Sequence, residues 1–119
     1  MKLLTASQER QLKANGRWNA TLIEQGKEPS DFRPVVKLFC PWGAATWLLT
    51  ELDPDDPDCA FGLCDLGMGY PELGRVRLSE IAAVHGPGGL RIERDRWFRA
   101  TKSLQAYADE ARWNGRILA

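Results

Sequence analysis

The chain has 119 residues, of which 44% are hydrophobic, so it can bury one core and is too short for two; a single domain over residues 1–119 is expected. Lysine plus arginine and aspartate plus glutamate each number 16, and this zero net charge argues against long-range attraction to nucleic acid or an acidic membrane. The sequence shows no membrane-spanning stretch and no secretory leader, which predicts a cytoplasmic protein without a membrane partner.

The N-terminal part of the chain has the pattern of a helix. Thr5 and Gln8 have the spacing of a capping box, so a helix should begin near Ala6. Gly16 is expected to interrupt it, and a second helical piece should continue to Gln25.

Four strands are predicted in the central part. Residues 35–40 and 46–52 are rich in β-branched and aromatic side chains and should form a hairpin. Residues 53–58 contain two prolines and four aspartates, which favour a turn over a strand. Residues 59–65 and 73–78 provide the third and fourth strands.

The C-terminal part is predicted to be mostly helical. Ser79 should cap a short helix that ends near Val84, residues 90–98 should be extended or irregular, and residues 102–114 should form a helix that ends at Gly115. Successive strands between terminal helices predict an α+β domain, in which a four-stranded, mainly antiparallel sheet packs its N- and C-terminal helices against one face. The expected core residues are Val36, Leu38, Trp47, Leu49, Phe61, Leu63, Val76, Leu78, Ile81, Leu104 and Tyr107.

Four short signatures occur in a fixed order between two terminal segments, Met1–Thr5 and Ala108–Ile117. They are Thr-Trp-Leu-Leu-Thr-Glu at 46–51, Phe-Gly-Leu at 61–63, Glu-Leu-Gly at 72–74 and Ile-Glu-Arg-Asp at 92–95. As a set they resemble the bacterial family named domain of unknown function 2958. The resemblance implies small single-domain proteins, frequently encoded on plasmids and integrative elements near antirestriction, conjugation and DNA-processing genes. It implies no activity and no catalytic residues.

No metal site or cofactor is predicted. Cys40, Cys59, Cys64 and His85 lack the short spacings of zinc ligands, and residues five apart on a strand point to opposite faces, so buried reduced thiols are expected. The aspartates of residues 53–58 lack the glycine and terminal glutamate of an EF-hand loop, which favours a solvated turn over a calcium site.

Glu51 is the carboxylate that the pattern places on a partly buried surface. Strand alternation puts it on the face of Trp47 and Leu49, and a buried carboxylate requires a partner, for which Arg91 or Arg94 is available.

An enzymatic alternative uses clustered carboxylates. Glu51, Glu93 and Asp95 would hold a divalent metal and Arg94 would stabilise charge, as in a small metal-dependent nuclease or other hydrolase. The favoured interpretation is a structural ion-pair network, because no spacing marks a metal site.

Charge is unevenly distributed along the chain. Residues 51–80 are mainly acidic and residues 91–116 mainly basic. Either the two segments occupy different surfaces and suit a charged partner, or they neutralise each other, which is the favoured interpretation.

Several arginines stand next to tryptophans, a pair used in interface hot spots and in stacking on single-stranded nucleic acid. Trp42 and Trp97 are expected to be the most exposed tryptophans and Trp47 the buried one. The main hypothesis is a non-enzymatic accessory protein of mobile genetic elements that binds a partner, with protein favoured over nucleic acid because the net charge is zero. The candidate binding residues are Trp42, Arg91, Arg94, Arg96, Trp97, Arg112 and Trp113.

Overall fold

The computed structural model describes residues 3–119. In chain order the elements are α1 (Ala6–Glu24), β1 (Val36–Phe39), β2 (Thr46–Asp53), β3 (Asp56–Asp65), β4 (Glu72–Arg77), α2 (Leu78–Ala82), a 3₁₀ turn (Pro87–Gly89), β5 (Glu93–Arg94) and α3 (Leu104–Asn114). The strands form one antiparallel sheet in the order β4-β3-β2-β1-β5, so the α+β class is confirmed. The sheet has one more strand than expected, because Glu93 and Arg94 pair with Phe39 and Leu38.

Helix α1 begins where the sequence predicts and continues without a break. The Thr5 hydroxyl accepts a hydrogen bond from the Gln8 backbone N–H, and the Gln8 side chain accepts one from the Thr5 N–H, which completes the capping box. The expected interruption at Gly16 was wrong. Gly16 is instead the point of closest approach between α1 and β2, since a Cβ atom there would lie 1.8 Å from the carbonyl oxygen of Leu52.

The helices do not pack on one face, as expected, but on both. Along β2, Trp47 and Leu49 belong to a core cluster that includes Leu12 of α1, whereas Leu48 belongs to a second cluster with Leu104 of α3. Because successive strand residues point to opposite faces, α1 and α3 lie on opposite sides of the sheet. The domain therefore has three layers.

Most of the predicted core is confirmed. Phe61, Val76 and Leu78 are only half-buried, and they pack against the margins of the two clusters. The predicted residues that are buried are Val36, Leu38, Trp47, Leu49, Leu63, Ile81, Leu104 and Tyr107.

The acidic stretch is largely strand, which corrects the predicted turn. Only Pro54 and Asp55 form the turn, and β3 already begins at Asp56. Pro57 is accommodated because the β2–β3 register shifts between Leu52 and Asp53, and proline fits where ladder pairing is interrupted.

Ser79 does not cap α2. Its backbone N–H and hydroxyl donate to Asp58 of β3 at 2.9 and 2.6 Å, so a carboxylate from the sheet ties down the start of this helix. The last helix ends as predicted, at Gly115 with φ of 74°. Within residues 3–119 no helix is long and apolar enough to span a membrane.

Candidate functional site

Glu51 lies on the opposite face from the one that strand alternation predicts. The β2–β3 register shifts between Leu49 and Glu51, so that Leu49 pairs with Gly62 and Glu51 with Phe61. Directly paired residues of an antiparallel sheet share a face, and Phe61 packs against the α3-side cluster. The β-bulge at Thr50 therefore turns Glu51 away from the face of Trp47.

The partners of Glu51 also differ from the expected arginines. Its Oε2 accepts a 2.8 Å hydrogen bond from Nδ2 of the buried Asn19 of α1. This helix reaches round to Glu51 because β1 pairs with β2 only as far as Leu49, and beyond it α1 lies along the free edge of β2, where Asn15 donates to the Thr50 carbonyl at 2.8 Å.

Burial raises the pKa of Glu51 above its ordinary value, while the hydrogen bond from Asn19 and the charge of Arg75 act in the opposite direction. Arg91 instead donates to the Ala82 carbonyl at 2.9 Å. Glu51 is thus a carboxylate held in place by α1 and β4.

The three candidate catalytic carboxylates do not come together. Glu93 pairs with Phe39, which pairs with Thr46, and Thr46 precedes Glu51 by five residues of β2. At about 3.4 Å per residue this is about 17 Å along the sheet, whereas metal–oxygen ligand distances are about 2.0–2.6 Å. Asp95 is engaged separately, by Lys37 at 3.4 Å.

Arg94, the proposed charge stabiliser, lies on the other face of β5. It pairs with Leu38, a member of the α1-side cluster, and its Nη1 donates to the Leu3 carbonyl at 3.1 Å. It therefore anchors the start of the described chain rather than facing Glu93.

The aspartates of residues 53–58 form ion pairs with β4. Asp56 and Asp58 contact Arg77 at 3.1 and 3.5 Å, and Asp53 contacts Arg75 at 3.9 Å. Hydrogen bonds from Ser79, and then from Arg77, lower the pKa of Asp58. These carboxylates stabilise the end of the sheet.

The cysteines and the histidine are spread over different elements. Cys59 pairs with Arg77 and Cys64 with Trp47, while His85 is exposed in the loop after α2. Burial raises the pKa of Cys64 to about 11, which disfavours the thiolate that a metal or a nucleophilic reaction requires. Across residues 3–119 no three His, Cys, Asp or Glu side chains are grouped as metal ligands.

Trp42 is not one of the exposed tryptophans. It is half-buried, packs against the α1-side cluster, and covers Gly86 so closely that a Cβ atom on that glycine would lie 2.5 Å from its ring. It holds the loop after α2 against the β1–β2 turn, so only part of its surface is exposed.

Trp97 is exposed, as predicted, with 90% of its surface accessible. The Asp95 carboxylate accepts from the Trp97 backbone N–H at 2.9 Å, so a tight turn fixes this segment beside β5. Trp97 borders a groove that also includes Tyr107 and Leu118. Arg96 and Trp97 thus form an exposed pair at the β5 edge of the sheet.

Several exposed apolar side chains lie at the β4 side of the sheet. In the β3–β4 loop, Leu66, Met68 and Tyr70 are 59%, 70% and 81% exposed, and Trp113 in the last turn of α3 is 90% exposed. Arg112 lines a cleft together with Tyr70. We call these five residues the apolar loop surface. The Arg96–Trp97 and Arg112–Trp113 pairs therefore belong to different surfaces.

Asp65 fastens the β3–β4 loop to the segment that follows α3. This buried carboxylate accepts from the Gly67 N–H at 2.8 Å and from the Ile117 N–H at 3.0 Å. Gly67 and Gly69 adopt φ of 81° and 85°, a conformation that other residues rarely adopt. The loop therefore projects its apolar side chains from a defined backbone.

Sequence patterns predicted residues 66–72 as the connection between the third and fourth strands. They did not identify Leu66, Met68 and Tyr70 as candidate binding residues. The available signal was composition, because turns normally carry polar residues and this one alternates three large apolar residues with glycines. The role of Asp65 had no local signal, since its second partner is 52 residues away in the chain.

Comparison with known proteins gives one result. No curated protein and no solved structure matches the chain significantly. One family model, described as "Protein of unknown function (DUF2958)", matches residues 3–118 and so covers nearly all of the described chain. This extent confirms the resemblance carried by the four signatures, and the chain belongs to the DUF2958 family.

Proposed function

We propose that this protein is a non-enzymatic accessory protein that binds a protein partner through the apolar loop surface. The observation that carries the proposal is the exposure of Leu66, Met68, Tyr70 and Trp113 in a domain of this size. Large exposed apolar side chains on a fixed backbone are typical of interaction sites, and tyrosine, tryptophan and arginine are the residues most enriched in interface hot spots.

The nature of the surface supports a protein rather than a nucleic acid as partner. Residues 66–70 of the β3–β4 loop carry no charged side chain. In α3 and the segment after it, the basic residues are Arg112 and Arg116 alone. The net charge of the whole chain is zero, so the electrostatic term that dominates nucleic-acid binding is small. Association with plasmids and integrative elements remains part of the proposal and rests on the family resemblance.

The enzymatic alternative gains no support from the positions of its residues. Glu51 accepts a hydrogen bond from Asn19, and Asp95 forms an ion pair with Lys37. Arg94 donates a hydrogen bond to the Leu3 carbonyl. A metal-dependent hydrolase would need several carboxylates around one open position.

The proposal is tested by affinity capture from a bacterial host that carries the element, with captured proteins identified by mass spectrometry. A Tyr70→Ala/Trp113→Ala variant is compared with an Arg96→Ala/Trp97→Ala variant, which removes an equally exposed pair from the β5 edge. An aromatic hot spot contributes about 2 kcal/mol, so the first variant should bind the purified partner about 30-fold more weakly if one of its two residues is a hot spot and about 10³-fold more weakly if both are. The second variant should bind like the wild type.

Two outcomes would contradict this assignment. Equal capture by the wild type and the loop variant would remove the apolar loop surface from the proposal. Loss of capture with the Arg96/Trp97 variant alone would move the binding site to the β5 edge.

A further inference from the structure

Strand β4 leaves one edge of the sheet open. It is the last strand in the order and pairs only with β3 among the described strands. Every second residue of such an edge directs its backbone N–H and C=O away from the sheet. Edges are usually protected by proline, charged side chains or very short length. β4 is six residues long and has no proline, and its two arginines, Arg75 and Arg77, pair inward with aspartates of β2 and β3.

A groove of about 420 Å³ runs along this edge, between β4 and α2. Trp47 and Cys59 contribute to it from the sheet, and Leu66 lies at its border. The apolar side chains from β4 and α2 are Val76, Ile81 and Val84. The open backbone edge thus has an apolar pocket directly beside it, which is the combination that recognises an added strand.

Gly74 leaves open space on one face of the sheet in the middle of β4. It pairs with Gly62, and a Cβ atom built on it would have no heavy atom within 4 Å. Its φ is not positive, so no turn or backbone strain explains a glycine at this position. Glycine inside a strand is typical of places where another backbone approaches closely.

The charge around β4 determines which segment fits. Arg75 and Arg77 are already paired with Asp53, Asp56 and Asp58. Glu72 and Glu80 add two more negative charges and Arg112, beside Glu72, one positive charge, so the neighbourhood has five acidic and three basic side chains, a balance of −2. A partner segment with lysine or arginine complements this balance.

We propose that β4 accepts an extended segment of another protein as an additional antiparallel or parallel strand, with an apolar side chain in the groove and basic side chains on either side of it. Backbone hydrogen bonds to β4 supply affinity, while the pocket and the acidic neighbourhood supply specificity. This site shares only Leu66 with the apolar loop surface, and the inference does not require that surface to bind anything.

The test is an NMR titration of the ¹⁵N-labelled protein with two capped synthetic peptides, Lys-Val-Lys-Val-Lys and Glu-Val-Glu-Val-Glu. The basic peptide should cause saturable shifts of the amides of β4 and α2 and bind at least tenfold more tightly than the acidic one. Glu80→Lys should weaken binding of the basic peptide roughly tenfold. Glu28→Lys, the same charge change in the connector after α1, should leave its affinity unchanged.

A second variant tests the groove independently of charge. Val84→Trp fills the groove that Val84 lines and should abolish binding of the basic peptide, while the melting temperature should stay close to that of the wild type because Val84 is 39% exposed. Shifts elsewhere, no saturable shift at millimolar peptide, or equal binding of both peptides would overturn the proposal. Shifts of β4 amides with protein concentration alone would overturn it in favour of a second copy of the chain. None of these results involves Tyr70 or Trp113, so they are distinguishable from failure of the proposed function.

Discussion

Asp65 shows how one buried carboxylate determines the shape of a surface. It satisfies backbone N–H groups at Gly67 and at Ile117, and so joins the loop that presents Tyr70 to the segment after α3. Hydrogen bonds to a charged group contribute more than neutral ones, and truncation of Asp65 removes both of them.

We therefore expect Asp65→Ala to lower the free energy of unfolding by about 2–3 kcal/mol, measured by urea denaturation. Asp65→Asn retains one acceptor oxygen and should lose less. Asp55→Ala is the matched control, because Asp55 is exposed in the β2–β3 turn, and its change should stay within about 0.5 kcal/mol. A similar small loss for Asp65→Ala would contradict the role assigned to this residue.

Glu51 gives a pH dependence of known sign. Burial raises its pKa in the folded state, so the folded protein binds more protons at this site than the unfolded chain between the two pKa values. Stability from Glu51 is then greatest below its unfolded pKa and falls as pH rises through the raised pKa. Glu51→Gln keeps an acceptor oxygen for Asn19 but cannot ionise. The free energy of unfolding of this variant, minus that of the wild type, should therefore rise as the pH rises from 4 to 7. A stability difference that is constant over this pH range, or that falls, would contradict the prediction.

At the scale of elements, the sequence predicted what depends on local signals. Three predictions were correct because each depends on residues a few positions apart. They are the capping box at Thr5 and Gln8, the β1–β2 hairpin and the end of α3 at Gly115. The face of Glu51 was wrong because a bulge at Thr50 shifts the alternation, and bulges depend on the partner strand.

The two-sided packing of the helices is a further element-scale feature without a local signal. Both α1 and α3 are amphipathic, which indicates that each covers a sheet but not which face. The available signal was the uninterrupted apolar run Trp47–Leu48–Leu49, because a strand with one solvated face alternates apolar and polar residues. All three side chains are buried.

Helix α1 provides a prediction at this scale. In a helix, glycine to alanine normally stabilises by about 1 kcal/mol. At Gly16 the new methyl group would collide with the Leu52 backbone, so Gly16→Ala should instead destabilise by about 3 kcal/mol, the upper end of overpacking costs. Gly74→Ala is the control, because its Cβ enters open space and should be neutral or slightly stabilising. Thermal unfolding of both variants decides this, and a stable Gly16→Ala protein would contradict the contact.

At the scale of the molecule, no ion pair within residues 3–119 links the acidic segment 51–80 to the basic segment 91–116. Aspartates of residues 53–58 pair with Arg75 and Arg77, whereas Asp95 pairs with Lys37 and Glu110 with Lys102. The two segments nevertheless meet at the β4 side of the sheet, where Glu72 and Arg112 line one cleft, so they do not occupy separate surfaces.

The charges around Trp97 lead to a prediction about nucleic acid. Arg96 and Trp97 form the type of pair that stacks on single strands, but Glu93 and Asp95 lie beside them and few phosphates could be neutralised there. We expect an oligothymidylate to bind with a dissociation constant no tighter than about 10⁻⁴ M at about 0.15 M salt, and more weakly as salt rises. Fluorescence anisotropy measures this, with Trp97→Ala removing the residual binding and Trp18→Ala, at the half-exposed tryptophan of α1, leaving it unchanged. A dissociation constant near 1 μM at that salt would make nucleic acid the partner class, because only a surface that neutralises several phosphates reaches such affinity without sequence recognition.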